Sequence, residues 1–548
     1  MSLKPSIIAP IPEETIRIAR AAFPKGNLYL SMRDQLGNLF EDLDFVGLFP
    51  NRGQPAFAPW RLALITVMQF LENLSDRQAA EAVRSRIDWK YALGLELTDS
   101  GFDYSVLSGF RERLVISNKQ SLMFDRLLET LRDRKLLKKR GIQRTDSTHV
   151  LSSIRVMNRL EVVTETMRAA LNQLAVVAPD WLKSAALPEW RARYNTRAEQ
   201  GHFPSGEKAK LDYGEAVGRD GAYLLKLTQS EQPQLAHLEI IGTLRKVWEI
   251  HYSRYENGEV LWRTDSQLPK AAAVIESPYD TEARHSNKRG LTWTGYKVHL
   301  TETCDDALPR LITNVHTTVA TEQDVACTAL IEKSLKQKNL LPSRHLVDAG
   351  YVDAELLIAS RRNYDIELFG PTRSNSSWQA RTGGIDAAMF EIDWENQSAV
   401  CPKGKTSRYW RQYQTSELYS REVIKVKFES KDCRECESRE KCVRNKTGAG
   451  RQLLLPTREL HQALKQTRSL LSSKEGKFQY KRRAGIEGTI SQGSRRGSLR
   501  RSRYRGLEKT HLQETAVAAG INLLRTVNFL NHYSIAQTRV SRFARLMN

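Results

Sequence analysis

The 548-residue chain has only 6 cysteines, four of them clustered, which is no disulfide framework. No stretch approaches the roughly 18 apolar residues of a membrane span. Met1 to Ser6 opens without a sustained apolar run, so neither membrane insertion nor secretion is expected. Internal repeats and long low-complexity tracts are missing, which excludes collagen-like and mucin-like chains. Acid is in short supply: 63 Asp plus Glu face 84 Lys plus Arg, leaving a formal charge of +21. Such an excess says nothing about fold but favours a polyanionic partner. Apolar residues at 40% and charged residues at 27% describe a globular chain, too long for one core. The expectation is a basic, cytoplasmic protein of three or four modules.

Periodicity changes along the chain. Residues 1 to 52 are weakly patterned. Pro59, a first-turn proline, precedes Leu62, Ile65, Met68 and Leu71 at helical spacing. Ser75 and Gln78 form a capping box for a second helix, and Ser105 is expected to cap a third. This all-α module suits either a helix-turn-helix or a bundle that packs and dimerises. Ile142–Asp146 is strand-like, and 155–240 carry long polar helices. Gly295–Leu300 and Leu311–Val315 alternate as paired strands. A helix is expected from Thr321 to about Lys338, then a strand over Arg344–Asp348 and a helix capped by Asp353. The order strand, strand, strand, helix, strand, helix implies a mixed α/β sheet. Residues 366–456 contain short strands between Gly, Ser and Asn turns, and the chain after Pro456 is helical and basic.

Three carboxylates stand out by position. Asp146 is on the first expected strand, Asp348 ends a later one where open α/β sheets place ligands, and Glu487 opens a helix. Clustered hard oxygens are what two divalent cations need for phosphodiester chemistry. Acids at strand ends and helix starts also serve as ordinary caps. The surroundings of Glu487 separate the two readings. Between 481 and 505 lie nine Lys or Arg and one acid, Glu487 itself. An acid weakens a merely solvated basic patch, but fits a metal ligand flanked by phosphate-holding arginines.

These segments resemble a DDE-type insertion-sequence transposase. Tyr480, Arg483 and Glu487 match a Y-x2-R-x3-E-x6-K pattern, except that Ser494 replaces the terminal lysine, with Arg495 beside it as substitute cation. Thr145–His149, Gly295–His299 and Val347–Tyr351 are similar to the family's first-Asp, second and second-Asp strands. The helical region 57–116 is similar to its N-terminal domain. The resemblance implies an α/β ribonuclease-H-like catalytic core with an N-terminal all-α domain, a helical insertion and a β-rich, Cys-containing insertion. The implied boundaries are 1–130 for the helical DNA-binding or dimerisation domain and 131–154 with 276–365 for the first parts of the core. The helical insertion is 155–275, the β-rich insertion 366–456, and the C-terminal part of the core 457–548. Asp146, Asp348 and Glu487 would be catalytic and hold two Mg²⁺ (or Mn²⁺) ions. Tyr480, Arg483, Arg495, Arg496, Arg500, Arg501, Arg503 and Lys297 would contact double-stranded DNA. The implied function is a transposase that binds terminal inverted repeats and cuts and joins strands, as a homodimer on DNA. A DNA-binding regulator without catalysis and a nuclease that cuts without joining are the alternatives.

Cys401, Cys433, Cys436 and Cys442 contain a C-x2-C knuckle, and four thiolates suit a closed tetrahedral zinc site. Four free thiols are the plainer alternative. Cys304 and Cys327 lie apart and are expected to be packing residues. His149, three positions past Asp146, faces the other side of a strand. Tyr296, Tyr480, Trp378, Trp394 and Trp410 could stack on DNA bases, although aromatics in β-rich segments more often form core.

Overall fold

Helix Pro59–Glu72 is buried along nearly its whole surface, with only Arg61 and Glu72 reaching towards solvent. A helix apolar all round needs partners on every side, and its main one comes from the other end of the chain. That partner is Leu507–Leu530, buried from Leu512 through Leu523. The two approach closely at Gly520, where a Cβ would stand 2.9 Å from the Leu71 Cβ. The computed structural model describes residues 2–201, 203–254, 260–288, 290–373, 375, 377–415, 422–445, 448–533 and 541–547. It divides into one compact unit of residues 1–138, 147–322 and 487–548, and a second of residues 139–146 and 323–486. Among the described residues no helix is long and apolar enough to cross a membrane.

In the first unit, Glu13–Ala22, Leu28–Leu36, Asp76–Ser85, Ile87–Leu93, Ser105–Ile116 and Leu122–Asp133 accompany Pro59–Glu72. The Ser75–Gln78 capping box is present. Ser105 is instead the first residue of its helix, and Asp103 accepts its backbone N–H at 2.9 Å. The carboxylate is the stronger acceptor and takes the capping role. Strands Arg284–Lys288, Leu291–Thr303 and Ile312–Val319 pair antiparallel about the central one. The second half of strand Ile142–Leu151 lies beside Leu291–Thr303, Ser152 donating to the Thr294 carbonyl at 3.0 Å. This strand outruns the expected end at Asp146 because Thr148 and Val150 continue the alternating burial. Arg284–Lys288 escaped the pattern because its residues are polar and mostly exposed.

The helical segment in this unit has its own core. Arg159–Val177, Glu207–Ser230 and Glu239–His251 enclose Val163, Met167, Leu224, Leu244 and Trp248. Gly214, Gly218 and Gly221 form a bare stripe on one helix face that receives the rings of Trp262, Tyr252 and Trp248. The Trp248 indole N–H then reaches the Gly218 carbonyl at 2.8 Å, and the Tyr252 hydroxyl the Gly214 carbonyl at 2.8 Å.

In the second unit, the first half of Ile142–Leu151 pairs parallel with Arg344–Leu346, which pairs parallel with Glu367–Phe369. Helix Asp324–Gln337 precedes Arg344–Leu346, and Ala354–Tyr364, capped by Asp353 as expected, joins it to Glu367–Phe369. A three-stranded antiparallel sheet of Tyr409–Gln414, Glu422–Lys427 and Gln452–Pro456 and a hairpin of Glu391–Asp393 with Ser398–Val400 follow. Helices Arg458–Ser472 and Lys474–Lys481 lead through a 3₁₀ turn, Arg482–Gly485, to helix Ile486–Arg496.

A Cβ at Gly221 would stand 2.2 Å from the Trp248 ring. Gly221→Ala is therefore expected to destabilise the helical segment by about 1–3 kcal/mol through overpacking. Thermal unfolding followed by near-ultraviolet tryptophan dichroism reads the loss; an unchanged midpoint would refute the stripe's role.

Candidate active site

Parallel register puts two of the singled-out acids at matching positions. Arg144 is the partner of Leu346, so Asp146 and Asp348, each two residues further on, both lie just past that paired stretch, Asp146 midway along Ile142–Leu151 and Asp348 beyond the end of Arg344–Leu346. The loop after Asp348 is held by its own hydrogen bonds: the Gly350 N–H donates to Asp348 Oδ1 at 2.8 Å, and Thr328 Oγ1 to the Tyr351 carbonyl at 2.8 Å. Gly350 matters here because a Cβ would lie 3.0 Å from Asp348 Oδ1 and 3.2 Å from Asp324 Oδ2. Its bareness admits a third carboxylate, Asp324, which the sequence pattern had assigned only to a helix start.

Arg483 donates from Nη1 to Asp146 Oδ2 at 2.9 Å, both side chains being largely buried. Burial opposes the guanidinium charge, but Asp146, with Tyr480 and Asp348, outweighs it and holds the Arg483 pKa above its ordinary value. Tyr480 is half-buried, its ring 6.3 Å from Phe369. Burial raises its hydroxyl pKa; Arg483 opposes this while Asp348 and Asp146 add to it. Arg144, 3% exposed, reaches the Arg482 carbonyl beneath the turn, where Gly485 leaves room for its guanidinium. Behind Asp146, Thr145 Oγ1 meets His345 Nε2 at 2.6 Å, and Glu332 Oε1 stands 3.7 Å from His345 Nδ1, all deeply buried.

Glu487 is exposed in the first turn of Ile486–Arg496 and belongs to the first unit. Its helix is fixed there by charges absent from the motif. Glu302, fully buried, accepts from Thr489 Oγ1 at 2.5 Å and from Arg525 Nη1 at 2.8 Å. Arg525 also donates to Thr489 Oγ1 at 2.7 Å and Gln492 Oε1 at 3.0 Å. A buried acid in a strand and a cation in an apolar helix were the available signals.

The basic residues divide by packing. Arg495, Arg496, Arg500 and Arg501 are exposed, although Arg495 also reaches Ser491 and Arg500 the Thr148 hydroxyl. Arg503 instead turns inward, donating to the Leu74 carbonyl and Asn73 Oδ1, 5.0 Å over the Phe70 ring. Lys297 donates to the Glu322 carbonyl. Tyr296 is fully buried, and Trp394 and Trp410 pack at 90° to each other against the small β core. Trp378 is covered by Arg444 at 4.7 Å, and His149 packs 5.8 Å from Trp293. Cys304 and Cys327 are buried.

The outer face of the three-stranded sheet carries what the core side does not. Tyr409 pairs with Lys427 and Arg411 with Lys425, and Tyr413 and the 55% exposed Leu454 continue that face. Lys427 and Lys425 lie 5.1 and 5.8 Å from the rings of Tyr409 and Tyr413. Among the described residues none of these three cations has an ion-pair partner.

The four clustered cysteines line a common cavity beside this sheet. Burial pushes the Cys442 thiol up; Arg451 opposes the shift, and Cys433, Cys436 and Cys401 add to it. Among the described residues, no group of three or more His, Cys, Asp or Glu is arranged to hold a metal ion as it stands.

Removing the Arg525 side chain leaves Glu302 buried without its cation. Arg525→Ala is expected to cost about 3–5 kcal/mol, read as a lower chemical-denaturation midpoint of the full chain. A variant as stable as its parent would discount the network.

Residues 18–113 match the model of a transposase domain of the DUF772 type, and residues 400–527 that of a transposase DDE domain. No curated protein and no solved structure matched the chain. The first match falls on the N-terminal helices, and the second includes Tyr480, Arg483, Glu487 and the basic segment. Both matches are to transposase domains, and together they support an insertion-sequence DDE-type transposase.

Proposed function

We propose that the protein binds the terminal inverted repeats of its element and catalyses metal-dependent cleavage and strand transfer, through a ribonuclease-H-like core. The observation carrying this reading is the parallel register that puts Asp146 and Asp348 at matching positions just past one paired stretch, with Arg483 on Asp146. Hard carboxylate oxygens suit Mg²⁺ or Mn²⁺. Asp146 already attracts a cation, so the donor chemistry fits. Asp146 and Asp348 would hold the ions together with Glu487. A bound pair of ions supplies the Lewis acidity that activates a water or a DNA 3′-hydroxyl for in-line attack and steadies the leaving oxygen.

The chain's own groups have distinct parts. Arg483 neutralises and orients Asp146, the Thr145–His345–Glu332 contacts brace the strand behind it, and Gly350 leaves the Asp348 loop room beside Asp324. Exposed Arg495, Arg496, Arg500 and Arg501 bind phosphates. The outer face bearing Arg411, Lys425, Lys427, Tyr409 and Tyr413 gives a second stretch of cations interleaved with rings, suited to a nucleic-acid backbone. Synapsis of two element ends calls for a homodimer on DNA.

The test is an assay with paired element ends, Mg²⁺ and a target plasmid. Joined product is expected; cut product alone would favour a nuclease, and binding without either a regulator. Asp146→Asn, Asp348→Asn and Glu487→Gln should each abolish cleavage while keeping end affinity within about twofold, because phosphate contacts carry that affinity. Arg495→Ala and Lys425→Ala should weaken binding and flatten its salt dependence by about one unit of slope per lost contact. Arg503→Ala should lower stability and leave the slope unchanged, since its guanidinium holds the end of helix Pro59–Glu72.

A further inference from the structure

We propose that Cys401, Cys433, Cys436 and Cys442 bind one zinc ion that staples the β-rich segment together. One turn and two short helices deliver the sulfurs to one cavity. Cys401 begins a tight turn in which the Gly404 N–H donates to the Cys401 carbonyl at 2.8 Å and the Lys405 N–H to its sulfur at 3.4 Å. Cys433 lies in the short helix Ser430–Arg434 and accepts the Arg451 N–H on sulfur at 3.3 Å. Cys436 completes the knuckle, and the Arg439 N–H donates to its carbonyl at 2.9 Å. Cys442 ends the helix Arg439–Cys442.

The Lys405 and Arg451 backbone N–H groups aimed at two of the sulfurs are the kind of surrounding hydrogen bond that orients a metal-bound cysteine. Two arginines border the same cavity. Arg439 donates to the Cys433 carbonyl at 3.1 Å and Arg451 to the Cys442 carbonyl at 2.9 Å. Their charges offset the excess negative charge that four thiolates bring to a divalent ion. The local core gives the site its purpose. Among the described residues, seven apolar side chains, including Phe390, Val426 and Leu453, make up the buried core there, and small β modules with little core depend on a metal or another cross-link. All four cysteines are free, so no disulfide supplies that cross-link.

The sulfurs ring the cavity rather than standing as a finished ligand set. Binding therefore draws the Cys401 turn and the two short helices inward around the ion. A four-sulfur tetrahedral set suits zinc or an iron–sulfur cluster. Zinc is favoured because a closed four-thiolate site around a redox-inert ion is purely structural, which is what a β module with little core needs. The inference is independent of the catalytic reading, since none of these residues belongs to the carboxylate site.

Elemental analysis of the purified full chain tests it directly. One zinc per chain is expected, falling at least tenfold in Cys436→Ser and Cys442→Ser and retained in Cys304→Ser and Asp146→Asn. Cobalt exchange should give the absorption of a tetrahedral thiolate complex, and chelation should lower the unfolding midpoint. Wild-type protein with four titratable thiols and no bound metal would overturn the proposal, as would iron with visible charge-transfer absorption. The wild-type metal content decides the matter even if a cysteine variant fails to fold.

Discussion

The candidate site depends on one pairing: Ile142–Arg144 alongside Arg344–Leu346, parallel and in fixed register. Side chains in strands alternate with a period of two, so a slip of one residue would turn one acid to the opposite face. Several buried groups oppose such a slip. Gln143 donates to the Leu340 carbonyl at 2.7 Å, Thr145 meets His345, and Arg144 passes beneath the 482–485 turn. Each is polar and buried, so each would lose its partner in any other register, at a cost typical of an unsatisfied buried group. Specificity of register, more than net stability, is what these contacts contribute.

A different device fixes Glu487. Its helix opens in a run of cations, where electrostatics alone would give many similar arrangements. Glu302 and Arg525 remove that freedom by demanding particular hydrogen bonds from Thr489 and Gln492. The basic segment beyond it is stitched at intervals. Leu151 N–H donates to the Arg500 carbonyl at 2.9 Å, and Ser502 N–H to the Leu151 carbonyl at 2.8 Å, leaving the Arg495, Arg496 and Arg501 side chains outward. Backbone anchoring with side chains free is what a phosphate-binding surface needs.

Much of this was legible in the residues. Capping boxes, alternating strands and acids at strand ends are local signals, and the segment around Tyr480, Arg483 and Glu487 carried the family resemblance. Long-range facts were not. Nothing near Glu302 announces a partner more than two hundred positions away, and a buried charge in a strand looks like a solvated one. The arginine run looks like a single patch in the sequence, yet Arg503 packs against Phe70 while Arg501 stays exposed. Trp394 and Trp410 lie on the packed side of the β segment, whereas Tyr409 and Tyr413 share the open one, a distinction set by strand parity once the register is known. Asp324 gives no signal in the sequence because a helix start accounts for an acid without any further role.

Gly520 against Leu71 ties the late part of the chain to the early part, and this bears on synthesis. Some 449 residues separate the two positions, which at about 5–20 residues per second is roughly 20–90 s of translation. Until helix Leu507–Leu530 emerges, the apolar surface of Pro59–Glu72 has no native cover. The nascent protein must therefore pass through a prolonged aggregation-prone interval, and a ribosome that stops early releases a chain whose first helices have nowhere to pack.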